Sequence, residues 1–299
     1  MALFSSVPPR VRVVEVGPRD GLQNEKGAIS TADKIAFVDK LSDAGLPVIE
    51  VSAFVSPKWV PQMADAADVF AGITRRPGTR YTALVPNVAG LERAQKAKVD
   101  EVAIFAASTE TFSRKNINQS IDESFATYRQ VCDRARAAGI RVRGYLSTAF
   151  GCPYEGAVSE DVVSTLTARL IDLGVFEVAV SDTIGIARPD DVPRVLEAVL
   201  KKTPAERVAL HFHDTRGQAL KNVQASLPFG IRTFDASAGG LGGCPYAPGA
   251  PGNLATGGLI QLLDSLGIET GVSLDALTAA ESFVRERLAA VAKASAGPP

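Results

Sequence analysis

The sequence is short of reactive cysteine. Cys132, Cys152 and Cys244 are odd in number, far apart and without a C-x-x-C pair. That pattern excludes a disulfide framework and a structural zinc site of the usual spacing, and it fits a reducing cytoplasm. Excess charge of either sign is also missing. With 32 Lys and Arg against 33 Asp and Glu, the chain shows no electrostatic footprint for nucleic acid or an anionic membrane. No apolar run approaches a membrane span, and the opening MALFSSVPPR lacks both the basic and the apolar region of a signal peptide. Room for a transit peptide before the first strand is lacking too. Histidine is scarce, with two in 299 residues, and both fall in one stretch, LHFHD, Leu210 to Asp214.

What is present is ordinary globular material, 46% hydrophobic and 22% charged, enough to bury a sizeable core. Eight apolar, β-branched runs recur: VRVVEVG from Val11, VIEVS from Val48, RYTALVP from Arg80, EVAIFAAS from Glu101, RVRGYLST from Arg141, FEVAVSD from Phe176, RVALHFHD from Arg207 and TFDASAGG from Thr233. Between them lie helical periods, such as Ile35, Val38 and Leu41 after a Ser30-Thr31 cap. Several helices should stop at a left-handed glycine before the next strand: Gly45, Gly139, Gly174 and Gly230. Strand and helix alternating eight times over roughly 250 residues predicts an α/β fold, a (β/α)8 TIM barrel. An open doubly wound sheet is the alternative, but no G-x-G-x-x-G follows the first strand. The reading is one domain over residues 1–299, with the barrel over about 10–268. An additional C-terminal helix, from about Leu274 to Val291, belongs to a helical appendage over about 269–299.

Catalytic residues of such barrels sit at the carboxyl ends of the strands. There the sequence places Arg19-Asp20 ending the first strand, Glu50 and Ser52 on the second, Asp182 ending the sixth and His211 and His213 ending the seventh. One residue apart on a strand, the two imidazoles share a face while Phe212 points away, which favours a metal over two unrelated structural histidines. Carboxylate and amide oxygens must complete the set, which suits magnesium or manganese. Arg19-Asp20 reads either as a surface ion pair or as a metal ligand beside an oxyanion-stabilising cation. Glu50, in so apolar a strand, needs a cationic partner such as Arg19, and Asp182 poses the same choice. Gly239 to Asn253 holds six glycines and three prolines in fifteen residues, a long loop that presents Cys244 at the catalytic face.

Taken together these segments resemble the 3-hydroxy-3-methylglutaryl-CoA lyase family. The resemblance rests on VEVGPRDGLQNEK, VIEVSAFVSPKWVPQMAD, KNINQSIDES, GCPYEG, SDTIG, HFHDTRGQAL and GLGGCPYAPGAPGNLAT, in that order from Val14 to Thr256. It implies a carbon–carbon lyase that cleaves the acyl-CoA into acetyl-CoA and acetoacetate in leucine degradation and ketone-body formation, with a divalent cation, Mg2+ or Mn2+, and a homodimeric assembly. Position by position it implies Asp20, His211, His213 and Asn253 as metal ligands and Arg19 as the residue stabilising the enolate. Glu50 and Asp182 would serve site integrity and catalysis, Cys244 proton transfer to the enolate carbon, and Gln23 a contact to substrate. Asp20 or a metal-held water is the candidate base. The chain departs from the family at Ala255-Thr256-Gly257-Gly258, where two acids are usual after the threonine, and at Arg216, where an aromatic is common. A related 3-hydroxy-3-alkylglutaryl-CoA, a synthase running the reverse reaction, a metal hydrolase and a non-catalytic acyl-CoA binder are the competing readings.

Overall fold

The computed structural model describes residues 7–25, 27, 29–242 and 252–295. All eight expected strands are present: β1 (Arg12–Glu15), β2 (Val48–Ala53), β3 (Arg80–Leu84), β4 (Glu101–Ala107), β5 (Arg141–Ser147), β6 (Val178–Asp182), β7 (Val208–Phe212) and β8 (Thr233–Ala236). Each pairs in parallel with its chain neighbours, and β8 closes on β1 through Arg12↔Thr233 to Glu15↔Ala236, so the sheet is a barrel and not an open layer. The outer face of the strands carries Val13, Ile49, Val51, Val102 and Leu210 into one apolar core with the helices. Burying that face on both sides of the β-branched strands is what the eight apolar runs demand.

Ten helices surround the barrel among the described residues: α1 (Thr31–Asp43), α2 (Ala66–Gly72), α3 (Val88–Lys96), α4 (Glu110–Ile117), α5 (Ile121–Ala137), α6 (Glu160–Asp172), α7 (Asp191–Leu200), α8 (Ala219–Ser226), α9 (Thr256–Ser265) and α10 (Leu274–Ser295). Ser30 caps α1 by accepting from Asp33 N, and the four anticipated glycines all have positive φ, 71° to 96°. Alternation is not strict. After β4 come two helices, α4 and α5, because left-handed Asn118 turns the chain and Ser120 with Glu123 closes a capping box that starts α5. The C-terminal helix runs four residues beyond the expected Val291. It lies on α1, with Lys40 Nζ 5.3 Å from the Phe283 ring and Arg287 paired to Asp33 at 3.3 Å.

Glu15 ties the top of β1 to both roots of the loop between β8 and α9. Its Oε1 accepts from Gly17 N and Ala238 N, both at 2.8 Å, and its Oε2 accepts from Thr256 Oγ1 at 2.7 Å. Burial pushes this carboxyl from its ordinary 4.5 up to about 7 against those three bonds, and Glu281 adds to the push. Between those values the native carboxyl holds a proton that the unfolded chain has released, so stability falls as pH rises through that window and then levels off. The fall is on the order of 3 kcal/mol. Glu15→Gln should flatten it, measured by urea unfolding at pH 5 and pH 8; equal slopes in parent and variant would contradict the assignment.

Candidate active site

Arg19 and Asp20 do not end β1, as the sequence suggested. The strand stops at Glu15, and the chain enters a π-helical turn, Gly17–Gly21, in which Val16 O accepts from Arg19 N, Asp20 N and Gly21 N at 3.1, 2.7 and 3.2 Å. Pro18 presets the turn, and π-turns recur where a side chain must be aimed at a site. Here both charged side chains are aimed over the barrel bore. Arg19 Nε donates to Glu50 Oε2 at 2.5 Å, and its other arm reaches Asp20 Oδ1 at 2.5 Å. Glu50 sits inside β2 beside a register shift between Glu50 and Ser52, where one extra residue bends the strand.

At the carboxyl end of β7, His211 and, one residue past the strand, His213 have ring centroids 5.2 Å apart, while Phe212 packs outward on Phe150. Asp20 Oδ2 lies 4.0 Å from His211 Nε2 and 3.9 Å from His213 Nε2. Asn253 joins them through a bridge to His213 and donates Nδ2 to Asp20 Oδ2 at 2.9 Å and to Leu241 O at 3.1 Å. Both bonds leave from the amide nitrogen, so Oδ1 is the atom able to face a cation. Gly242, at φ 95°, makes the close approach possible, since a Cβ there would stand 2.8 Å from Asn253 Nδ2. The four residues expected around a metal therefore converge, from the π-turn after β1, the carboxyl end of β7 and the loop after β8.

A divalent ion fits this donor set. The carboxylate and the two ring nitrogens are too far apart to hydrogen-bond, yet one ligand atom from each lies within 4.8 Å of the others. Burial pushes His213 down to about 4, with His211 adding to the push, so its imidazole is neutral near pH 7. Burial would raise Asp20, but Arg19 and both histidines outweigh it and hold the carboxyl well below the usual range. His211 Nδ1 meets Asp235 Oδ2 at 3.2 Å, which leaves Nε2 for the ion. Nδ1 of His213 is buried and unpartnered among the described residues. An anion facing two imidazoles with oxygen ligands beside them suits magnesium or manganese.

The remaining expected residues divide. Burial raises Glu50 even with the Arg19 guanidinium beside it, Asp20 and Asp235 adding to the push. Asp182, on β6, is spent on its own loop, accepting Ile186 N at 3.0 Å and Ala187 N at 2.9 Å; burial lifts it to about 6 against those bonds. Gln23 is half-buried one turn past Asp20. Cys244 lies outside the described residues. Helix α9 starts without an acid in its first turn, but Glu281 of α10 approaches from the side, its Oε1 3.3 Å from where a Cβ on Gly257 would stand. Sequence reading missed Tyr145, whose hydroxyl donates to Glu50 Oε1 at 3.3 Å and whose ring meets the Arg19 guanidinium at 5.6 Å and the His211 edge at 6.1 Å. It also missed Arg143, Glu177 and Asp235 in the bore. A charged or phenolic residue within an apolar barrel strand was the available signal.

The HMGL-like family model matches residues 10–284. A rat protein, hydroxymethylglutaryl-CoA lyase, mitochondrial, is 52% identical over 285 residues, which cover 95% of this chain and 88% of that one. A Pseudomonas aeruginosa protein, 3-hydroxy-3-isohexenylglutaryl-CoA/hydroxy-methylglutaryl-CoA lyase, is 54% identical over 272 residues, 91% of each chain. The crystal structure of an HMG-CoA lyase from Brucella melitensis superposes with a TM-score of 0.92 at 49% identity, covering 93% of this chain and 98% of that chain. With likeness of sequence and of fold running through the whole barrel that carries Arg19, Asp20 and the histidine pair, this chain belongs to the HMGL-like family, the family of those lyases.

Proposed function

We propose that this chain is a divalent-metal-dependent lyase that cleaves 3-hydroxy-3-methylglutaryl-CoA into acetyl-CoA and acetoacetate. The convergence of the Asp20 carboxylate with Nε2 of His211 and His213, directly beside Arg19, carries the reading. Asp20, His211, His213 and Asn253 would hold Mg2+ or Mn2+, which when bound polarises the hydroxyl and carbonyl oxygens of the substrate. The reaction removes the proton of the C3 hydroxyl, breaks the C2–C3 bond and leaves the electron pair on the acetyl-CoA fragment as an enolate. Asp20, the carboxylate beside Arg19, is the candidate acceptor for that proton. Arg19 faces charge that exists mainly in the transition state, and it is aimed by Glu50 and Tyr145 before substrate arrives. Asp182 shapes the loop after β6, Gln23 contacts substrate, and Cys244 returns a proton to the enolate carbon. A reducing cytoplasm suits the free thiols of Cys132 and Cys152.

Purified protein should release acetoacetate and acetyl-CoA from 3-hydroxy-3-methylglutaryl-CoA with Mg2+ or Mn2+, stop on chelation and recover when metal is returned. No product from protein that still binds the metal would overturn the assignment. A second reading, a longer 3-alkyl group on the same acyl-CoA, is favoured by the doubly named Pseudomonas relative. Comparing kcat/KM across alkyl lengths in the same assay ranks the two.

A further inference from the structure

A line of ion pairs runs down the barrel bore from the candidate metal site. His211 Nδ1 meets Asp235 Oδ2 at 3.2 Å; Arg143 then grips the same carboxylate with two bonds, NH1 to Oδ2 at 3.0 Å and NH2 to Oδ1 at 2.7 Å. The third arm of Arg143, Nε, donates to Glu177 Oε1 at 2.8 Å, and Glu177 Oε2 accepts from Arg12 and, at 3.0 Å, from Thr233 Oγ1. His211, Asp235, Arg143 and Glu177 are all buried, at 6%, 1%, 5% and 2% exposure. So much charge in a bore that apolar side chains normally fill calls for a role.

We propose that Asp235, held by Arg143, is a positioning residue that fixes the tautomer of His211 for metal ligation. The inference rests on the metal-dependent reading above. A carboxylate gripped by a permanent guanidinium can only accept, so the shared proton must sit on His211 Nδ1. The lone pair is thereby confined to Nε2, which faces Asp20 Oδ2. Glu177 keeps the Arg143 fork in register, so aim as well as charge is transmitted from the floor of the barrel. His213 lacks this lock, since its Nδ1 has no partner among the described residues. His211 is the preset ligand and His213 the adjustable one.

The discriminating variant is Asp235→Asn. The charge that held the shared proton on Nδ1 is gone, and the one oxygen of the neutral amide cannot serve His211 and both arms of Arg143 together. The ring proton is thereby released to Nε2, the nitrogen that a neutral imidazole favours. Nitrogen NMR of 15N-histidine protein without metal should show the His211 tautomer reversed and His213 unchanged; with two histidines the assignment is simple. Mn2+ titration by EPR should show affinity reduced roughly 10- to 100-fold, the range for losing an outer partner of a metal ligand. Arg143→Lys, which keeps the charge but loses the fork, should give a smaller loss, and it serves if Asp235→Asn does not fold. A folded Asp235→Asn protein with parental tautomer and parental Mn2+ affinity overturns the proposal. If the parent itself binds no Mn2+, the metal reading fails instead, and the tautomer of the metal-free protein still decides the positioning claim.

Discussion

Arg19→Met lowers kcat for 3-hydroxy-3-methylglutaryl-CoA by on the order of 10^2- to 10^3-fold, the usual cost of losing one preorganised donor to a developing oxyanion. KM and Mn2+ affinity change far less, because Asp20, His211, His213 and Asn253 all remain, although Asp20 loses one partner. The variant also leaves Glu50, 1% exposed, without its guanidinium. Breaking a buried pair from one side costs about 3–5 kcal/mol, so Arg19→Met should lower Tm as well. Adding Glu50→Gln removes the stranded carboxylate and should restore much of the Tm but none of the turnover. Recovery of turnover with Tm would show that Arg19 acts through the fold alone. Steady-state kinetics and thermal unfolding on the single and double variants separate these outcomes.

Asp20→Ala has an effect of similar size at a different step. Asp20 is the anion facing the two imidazoles, the acceptor for Asn253 Nδ2 and the second partner of Arg19. Removing it takes away a ligand, frees the amide that anchors the root of the Gly239 to Asn253 loop, and deletes the acceptor for the hydroxyl proton. Mn2+ affinity should fall by more than the roughly 10- to 100-fold typical of an outer partner, and turnover should not return at millimolar metal. A parent depleted with chelator should recover fully under the same conditions. Parental Mn2+ affinity in Asp20→Ala would remove this residue from the ligand set.

The histidine pair was legible because a strand has a period of two and the chain offers no other imidazole. Left-handed glycines after helices made the eight strand–helix units legible in the same way, through local backbone chemistry. What stayed hidden depends on closure. Arg12 and Glu177 meet across 165 residues and Arg143 and Asp235 across 92, contacts that exist only once β8 has paired with β1. Each strand reads locally as an apolar run interrupted by polar residues; nothing in it names the partner across the bore. The π-turn was hidden for another reason. GPRDG has the composition of a loop, and an extra residue in one helical turn leaves no period to read. Asp182 shows the limit of position as a guide, since a carboxylate at a strand's carboxyl end can be consumed by its own loop.

Pulsed EPR of the protein loaded with one equivalent of Mn2+ tests the central claim, that two histidines hold the ion on which cleavage depends. The expected result is one tight site per chain with nitrogen couplings from two imidazoles, reduced to one in His213→Ala. A bound Mn2+ without nitrogen coupling, or couplings unchanged in that variant, would place the ion elsewhere and contradict the account.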